Sequence, residues 1–162
     1  VTAKTLLLAA FFCLLPVSEL RGGLPYALSH GISLIPAYLF CVILNILVGP
    51  LVFLFLSTLH RLLSHLRGYR YLFEKIVERA RKKLKDKVDR YGYWGIVVFV
   101  GIPLPVTGAY TGALGAWILG MEPKKSTLFI AIGVLAAGVI VSVVYYLVTE
   151  LGMEGIRIFI KS

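Results

Sequence analysis

The chain of 162 residues is 59% hydrophobic by side chain, with a mean hydropathy of +0.88 and a formal net charge of +9. That composition excludes an ordinary soluble domain and places the chain in the membrane class. The positive charge does not point to nucleic acid, because most of it sits in one block between apolar segments, where it reads as a topology signal and an anionic-lipid contact.

The first segment runs from Lys4 through the apolar stretch Thr5 to Val17 and breaks on ELRGGLPYA, Glu19 to Ala27. A signal peptide has this outline, but no small-x-small cleavage site precedes Glu19 and the same break is echoed downstream. A bilayer core of ~30 Å takes ~20 helical residues, so neither side of the break can cross alone. Residues 1–31 are therefore expected to dip in and return as a re-entrant hairpin, whose second leg starts near Leu24-Pro25 with Pro25 in its first turn. Ser33 is the expected N-cap of the next helix, with Pro36 in its first turn; this helix, within residues 32–60, is long enough to span. Asn45 lies near its middle and needs a partner in the interior, and Pro50 is expected to kink it. Cys13 and Cys41 lie in apolar runs without CxxC spacing or a nearby His, which argues buried packing and neither a disulfide framework nor a metal site.

Residues 61–92 carry the basic block. From Arg61 to Arg90 there are 11 Lys/Arg against four acidic residues, and Tyr69, Leu72, Phe73, Ile76, Val77, Ala80, Leu84, Val88 and Tyr91 recur at helical spacing. The expectation is a basic amphipathic helix on an anionic membrane surface. Residues 93–122 repeat the first pattern: an apolar leg from Tyr93 to Ile102, a break on GIPLPVTGAYTG, and a return leg N-capped by Thr107. Gly108, Gly112, Gly115 and Gly120 are expected to serve close helix packing on that return leg. An apolar helix over 126–149 then spans, with Gly133, Ala137 and Gly138 as a small packing face, and 150–162 forms an interfacial tail.

Re-entry of 93–122 collects 13 of the 17 Lys/Arg on one side, as the positive-inside tendency favours. The expected architecture is thus an all-α integral membrane protein of two inverted repeats, each a re-entrant helical hairpin followed by a transmembrane helix. A cytoplasmic amphipathic helix joins them, and the whole is a multi-pass protein of the cell membrane. Broken segments at corresponding places in two halves are the sequence pointer to a transport site.

Two helix N-termini meeting at the bilayer centre favour an anion. Arg21 adds a donor fork that matches a phosphate, and Glu19, costly there when ionised, is a candidate proton carrier unless it merely pairs with Arg21. Nothing resembles a catalytic constellation: His60 and His65 lack metal spacing and His30 is isolated, so no enzyme and no cofactor is expected.

ELRGGLPYA, the element NILVGP from Asn45 to Pro50, and FVGIPLPVTGAYTGALGAW together resemble the small multidrug export protein family. That family is similar in its paired re-entrant hairpins to the DedA/VTT membrane superfamily, whose members are implicated in moving polyprenyl-phosphate carriers or other lipids, with proton coupling proposed. The resemblance implies that Glu19 and Arg21, beside Gly22, Gly23 and Pro25, form the acidic/basic element of the first hairpin. It also implies that Pro103, Pro105, Thr107 and Gly108 form the second tip. DedA proteins carry arginines around the second-hairpin proline, whereas this chain has Val100 and Val106, which leaves Arg21 and backbone donors to hold a phosphate.

The leading expectation is proton-coupled transport of an anionic amphiphile such as a polyprenyl-phosphate carrier, by a homodimer that contacts anionic lipids at its cytoplasmic face. A lipid scramblase or small-drug exporter, and a scaffold that only shapes the bilayer, stand as alternatives.

Overall fold

The structure is a computed structural model; it describes residues 2–66, 68, 70–71, 73–75, 77–79, 90–103 and 107–161, of which 150 and 152–161 are described in backbone only. The described residues are almost entirely helical, in the order α1 (Ala3–Leu14), α2 (Glu19–Ser29), α3 (Leu34–Leu63), α4 (Trp94–Gly101), α5 (Ala109–Ile118) and α6 (Pro123–Lys161).

Two of these helices, Leu34–Leu63 and Pro123–Thr149 within α6, are long and apolar enough to cross a membrane. Their apolar side chains point both inward and outward. On α3, Ala37, Cys41, Val42, Asn45, Val48 and Phe53 are buried, while Ile35, Leu39, Ile43, Leu47 and Leu51 form an exposed stripe at four-residue spacing. On α6, Ser126, Ile130, Val134 and Ala137 are buried and Leu128, Leu135, Val139, Val143 and Leu147 are exposed. A surface helix in water turns charged and polar residues outward. Here the outward faces are aliphatic, as lipid requires.

The short helices pack in pairs around the long ones. α1 lies on α2, α4 on α6, and α3 touches α1, α2, α5 and α6. Small residues set the approach. A Cβ on Gly133 would come within 2.8 Å of the Val100 Cβ, one on Gly112 within 2.6 Å of Val100 Cγ2, and one on Gly138 within 2.7 Å of the Tyr38 ring. Gly115 has open space around it, and Gly120 instead supplies a positive φ of 71° where α5 ends.

Three local expectations are corrected. α2 begins at Glu19, so Pro25 stands inside the helix and not in its first turn. The helix starts early because the turn before it is already hydrogen-bonded: the Glu19 N–H donates to the Leu15 carbonyl at 2.9 Å and the Gly22 N–H to that of Ser18 at 3.2 Å. The N-cap position of α5 is Gly108, not Thr107, because the Thr107 hydroxyl is engaged elsewhere, as described below. Third, α3 runs on to Leu63 and α6 on to Lys161, so the residues after Thr149 continue the helix. Ser33 does hold the N-cap position of α3, with an extended ψ of 150° but no side-chain cap bond.

In the basic block the described residues from 68 to 79 are helical, as are 90 and 91. Tyr69, Leu72, Ile76, Ala80, Leu84 and Val88 of the expected apolar stripe lie outside the described residues.

Candidate functional site

The site forms where the turn between α1 and α2 meets the turn between α4 and α5. Glu19 opens α2 with a φ of +47°, the one non-glycine residue with a positive φ among those described. The left-handed region costs an L-residue on the order of 1 kcal/mol. The conformation aims the carboxylate across the gap at the start of α5. Its Oε2 accepts from the Ala109 N–H at 3.1 Å and its Oε1 from the Tyr110 N–H at 3.2 Å. A helix N-terminus offers free N–H groups and about half a positive charge, so a carboxylate from another segment caps it well. Glu19 is 7% exposed, and at that burial its charge requires such partners.

Gly108 is what lets the carboxylate in. Its backbone is extended, so no strain demands glycine, but a Cβ built there would overlap the Glu19 carboxylate itself. Next to it, Arg21 Nη2 donates to Thr107 Oγ1 at 3.0 Å, and Thr107 Oγ1 donates to the Ile102 carbonyl at 2.8 Å, closing the turn that leaves α4. The Tyr110 hydroxyl returns the contact by donating to the Leu14 carbonyl at 2.6 Å, where α1 ends. Ser18 Oγ donates to the Phe12 carbonyl at 2.9 Å and holds the first turn closed.

Asn45 lies behind this junction, 1% exposed. Its Nδ2 donates to the Cys13 carbonyl at 3.1 Å and, within α3, to the Cys41 carbonyl at 3.5 Å, so it ties α3 to α1. Gly22 and Gly23 serve the tight fold of the first turn: a Cβ on Gly22 would overlap Ser18 Oγ, and one on Gly23 would overlap Cys13 Sγ and approach the Ala9 carbonyl to 2.9 Å. The structure thus brings Glu19, Arg21, Thr107 and Gly108 into one cluster, with Asn45, Gly22 and Gly23 supporting it. Pro25 stands further along α2, Pro103 follows the end of α4, and Pro105 lies outside the described residues. Ser18 and the carbonyls of Leu14 and Cys13 were not legible as members; Ser18, polar at the end of an apolar run, was the available signal for the first.

Glu19, Leu20, Arg21, Asn45, Val100, Gly108, Val134 and Ala137 line a void of about 10 Å³. A space of that size holds one water at most. Among the described residues, the polar groups of the two tips bond to each other around this void, which is too small for an organic molecule.

A family model described as Putative small multi-drug export protein matches residues 19–140. The chain belongs to this family. The match to the export family begins at Glu19 and takes in Arg21, Asn45, Thr107 and Gly108, while Cys13, Leu14 and Ser18 of the first turn precede it. No curated protein and no solved structure matches the chain. Membership of an export family and two apolar helices with aliphatic outer faces make this a membrane protein of the transport class.

Proposed function

We propose that the chain is a proton-coupled membrane transporter of small amphiphiles that carry an anionic group. It is built as two inverted repeats, α1–α2 with α3 and α4–α5 with α6, whose hairpins are re-entrant. The observation that carries the reading is the Glu19 carboxylate seated on the N-terminus of α5. An internal anion occupies the donors that a substrate anion would use. Protonating Glu19 removes its charge and weakens both bonds, which frees the Ala109 and Tyr110 N–H groups beside the Arg21 fork. Proton and anion then bind together and move in the same direction. The hairpin reading is supported by length: α1 has 12 residues, α4 eight and α5 ten, each short of the ~20 that a bilayer core takes. A polyprenyl-phosphate carrier belongs to the proposed substrate class, but it rests on the DedA likeness of the motifs alone.

A second reading is favoured by the same carboxylate. Glu19 could take a cationic drug in exchange for its proton, which suits the family's description as an exporter. The two readings predict opposite signs in proteoliposomes. With permanently charged fluorescent amphiphiles, the anionic probe should accumulate when the outside is acidic. A cationic probe accumulating when the inside is acidic would replace the first reading with the second. Glu19→Gln should abolish gradient-driven movement in either case, and retained coupling in that variant would sink both. The topology is tested by labelling Arg90→Cys and Lys124→Cys from each side of the membrane: re-entry requires that both react from the same side.

A further inference from the structure

At the far end of α5 from Glu19 there is a cavity of about 600 Å³, lined by His60, Ser64, His65, Arg70, Phe73 and Glu74. That volume falls in the ~300–1,000 Å³ range of ligand pockets. It lies at the end of α3, a helix of 30 residues, and Arg70, Phe73 and Glu74 line it opposite His60, Ser64 and His65. We infer that this cavity binds the phosphate headgroup of an anionic amphiphile at the membrane edge. The inference rests on the membrane reading of the chain and is independent of transport through Glu19.

Three features carry it. The inner wall is aromatic: the Phe73 ring lies 4.4 Å from that of His60 and 5.4 Å from that of Trp117, and His60 and Trp117 are 5.7 Å apart. This wall shields the cavity from the interior. The polar side holds a guanidinium with little to lose. Arg70 Nε is 3.6 Å from Glu74 Oε1, with the two side chains 63% and 67% exposed. Such an exposed pair holds weakly, so a phosphate can take the guanidinium from Glu74 and meet its planar fork. His65 can add an imidazole N–H, and Glu74 is the carboxylate that an incoming anion must tolerate.

The third feature is the apolar surface of the same two helical segments, and it favours an amphiphile over free phosphate. Leu62, Leu66 and Tyr71, close in sequence to the lining residues, are 72%, 58% and 69% exposed. Exposed apolar side chains on the segments that carry a charged pocket, at the end of a spanning helix, suit a lipid environment around the headgroup. The 11 Lys/Arg between Arg61 and Arg90 supply the field that concentrates anionic lipid there.

The test uses the full chain in neutral detergent with Trp94→Phe, which leaves Trp117 as the reporter, since the chain has two tryptophans. Dihexanoyl phosphatidic acid should change its fluorescence saturably and dihexanoyl phosphatidylcholine should not. Inorganic phosphate should bind at least about tenfold more weakly than phosphatidic acid, because it lacks acyl chains to bury against the exposed apolar side chains of these segments. Arg70→Gln should raise Kd about tenfold, the usual worth of a charge-assisted bidentate contact. Glu74→Gln should lower Kd, which a merely structural role would not do, and Lys4→Gln should leave it within about twofold, because Lys4 is an exposed charge outside both the cavity lining and the basic block. The proposal is overturned if phosphatidylcholine titrates like phosphatidic acid, if inorganic phosphate binds as tightly, or if Arg70→Gln and Lys4→Gln have equal effects. None of these outcomes involves transport, so each leaves the Glu19 reading standing or falling on its own test.

Discussion

α5 is ten residues long, about 15 Å along its axis, and the polar groups at its two ends are used in opposite ways. At the N-terminal end Glu19, Arg21, Thr107 and Tyr110 each hydrogen-bond across the hairpin junction, around a void of about 10 Å³. At the C-terminal end Trp117 backs a cavity of about 600 Å³ whose guanidinium and carboxylate are mostly exposed. Buried polar groups that hold each other are stabilising and costly to disturb, whereas exposed ones contribute little to folding and remain available to a ligand. The N-terminal end would have to open before it could take a ligand, while the C-terminal end already holds an open cavity in this conformation.

Substitution at Glu19 should have the largest effect. Glu19→Ala removes the acceptor for two backbone N–H groups, each a charge-assisted bond, and leaves the start of α5 uncapped. A loss of about 3 kcal/mol is expected, read as a lower Tm in detergent, with Glu19→Gln retaining part of it. A change below about 1 kcal/mol would mean that the junction does not hold the hairpins together.

Gly108→Ala comes next and sharpens the same point. The new Cβ would overlap the carboxylate, so either Glu19 leaves α5 or the two tips part, at a cost of about 1–3 kcal/mol. The double variant Glu19→Ala/Gly108→Ala should cost less than the sum of the singles, because without the carboxylate the added methyl has space. Additive costs would show that Gly108 matters for some reason other than the approach of Glu19.

Asn45→Ala tests the support behind the junction. It removes the bond from α3 to the Cys13 carbonyl and should cost about 1 kcal/mol, less than the Glu19 variants, because donor and acceptor are both neutral. A cost as large as that of Glu19→Ala would move the centre of the latch from the tips to α3.

The members of the junction could be picked out in the sequence because a polar residue inside an apolar run has to find a partner. Glu19 and Arg21 stood out on that ground, Thr107 as an N-cap candidate and Gly108 through the family resemblance, and the four meet. Their pairing was not legible. Glu19 and Arg21 are two residues apart and invite reading as an ion pair, yet each reaches a different part of the second tip, as the spacing of α2 against α5 allows when Gly108 carries no side chain. Pro25 and Thr107 were placed by local rules for first turns and N-caps. Those rules yielded to a turn already bonded at Leu15 and to a guanidinium from the other hairpin. The cavity at the other end was beyond sequence reading, since its aromatic wall joins residues 60, 73 and 117 through tertiary packing with no shared period.

The smallest expected effect is the one that separates the two ends most cleanly. Arg70→Gln removes half of an exposed pair at 3.6 Å, in which the arginine side chain is 63% exposed. Exposed i,i+4 pairs contribute about 0.3–0.5 kcal/mol, and surface substitutions away from special backbone features stay within about 0.5 kcal/mol, so Tm should hardly move. The same substitution should still weaken headgroup binding about tenfold, because the fork that meets the phosphate is gone. Measured side by side, Glu19→Gln should lose stability and coupling together, while Arg70→Gln should lose affinity with stability intact. If Arg70→Gln instead lowers Tm as far as Glu19→Gln does, the polar groups at the C-terminal end are structural like those at the other, and α5 has no open end.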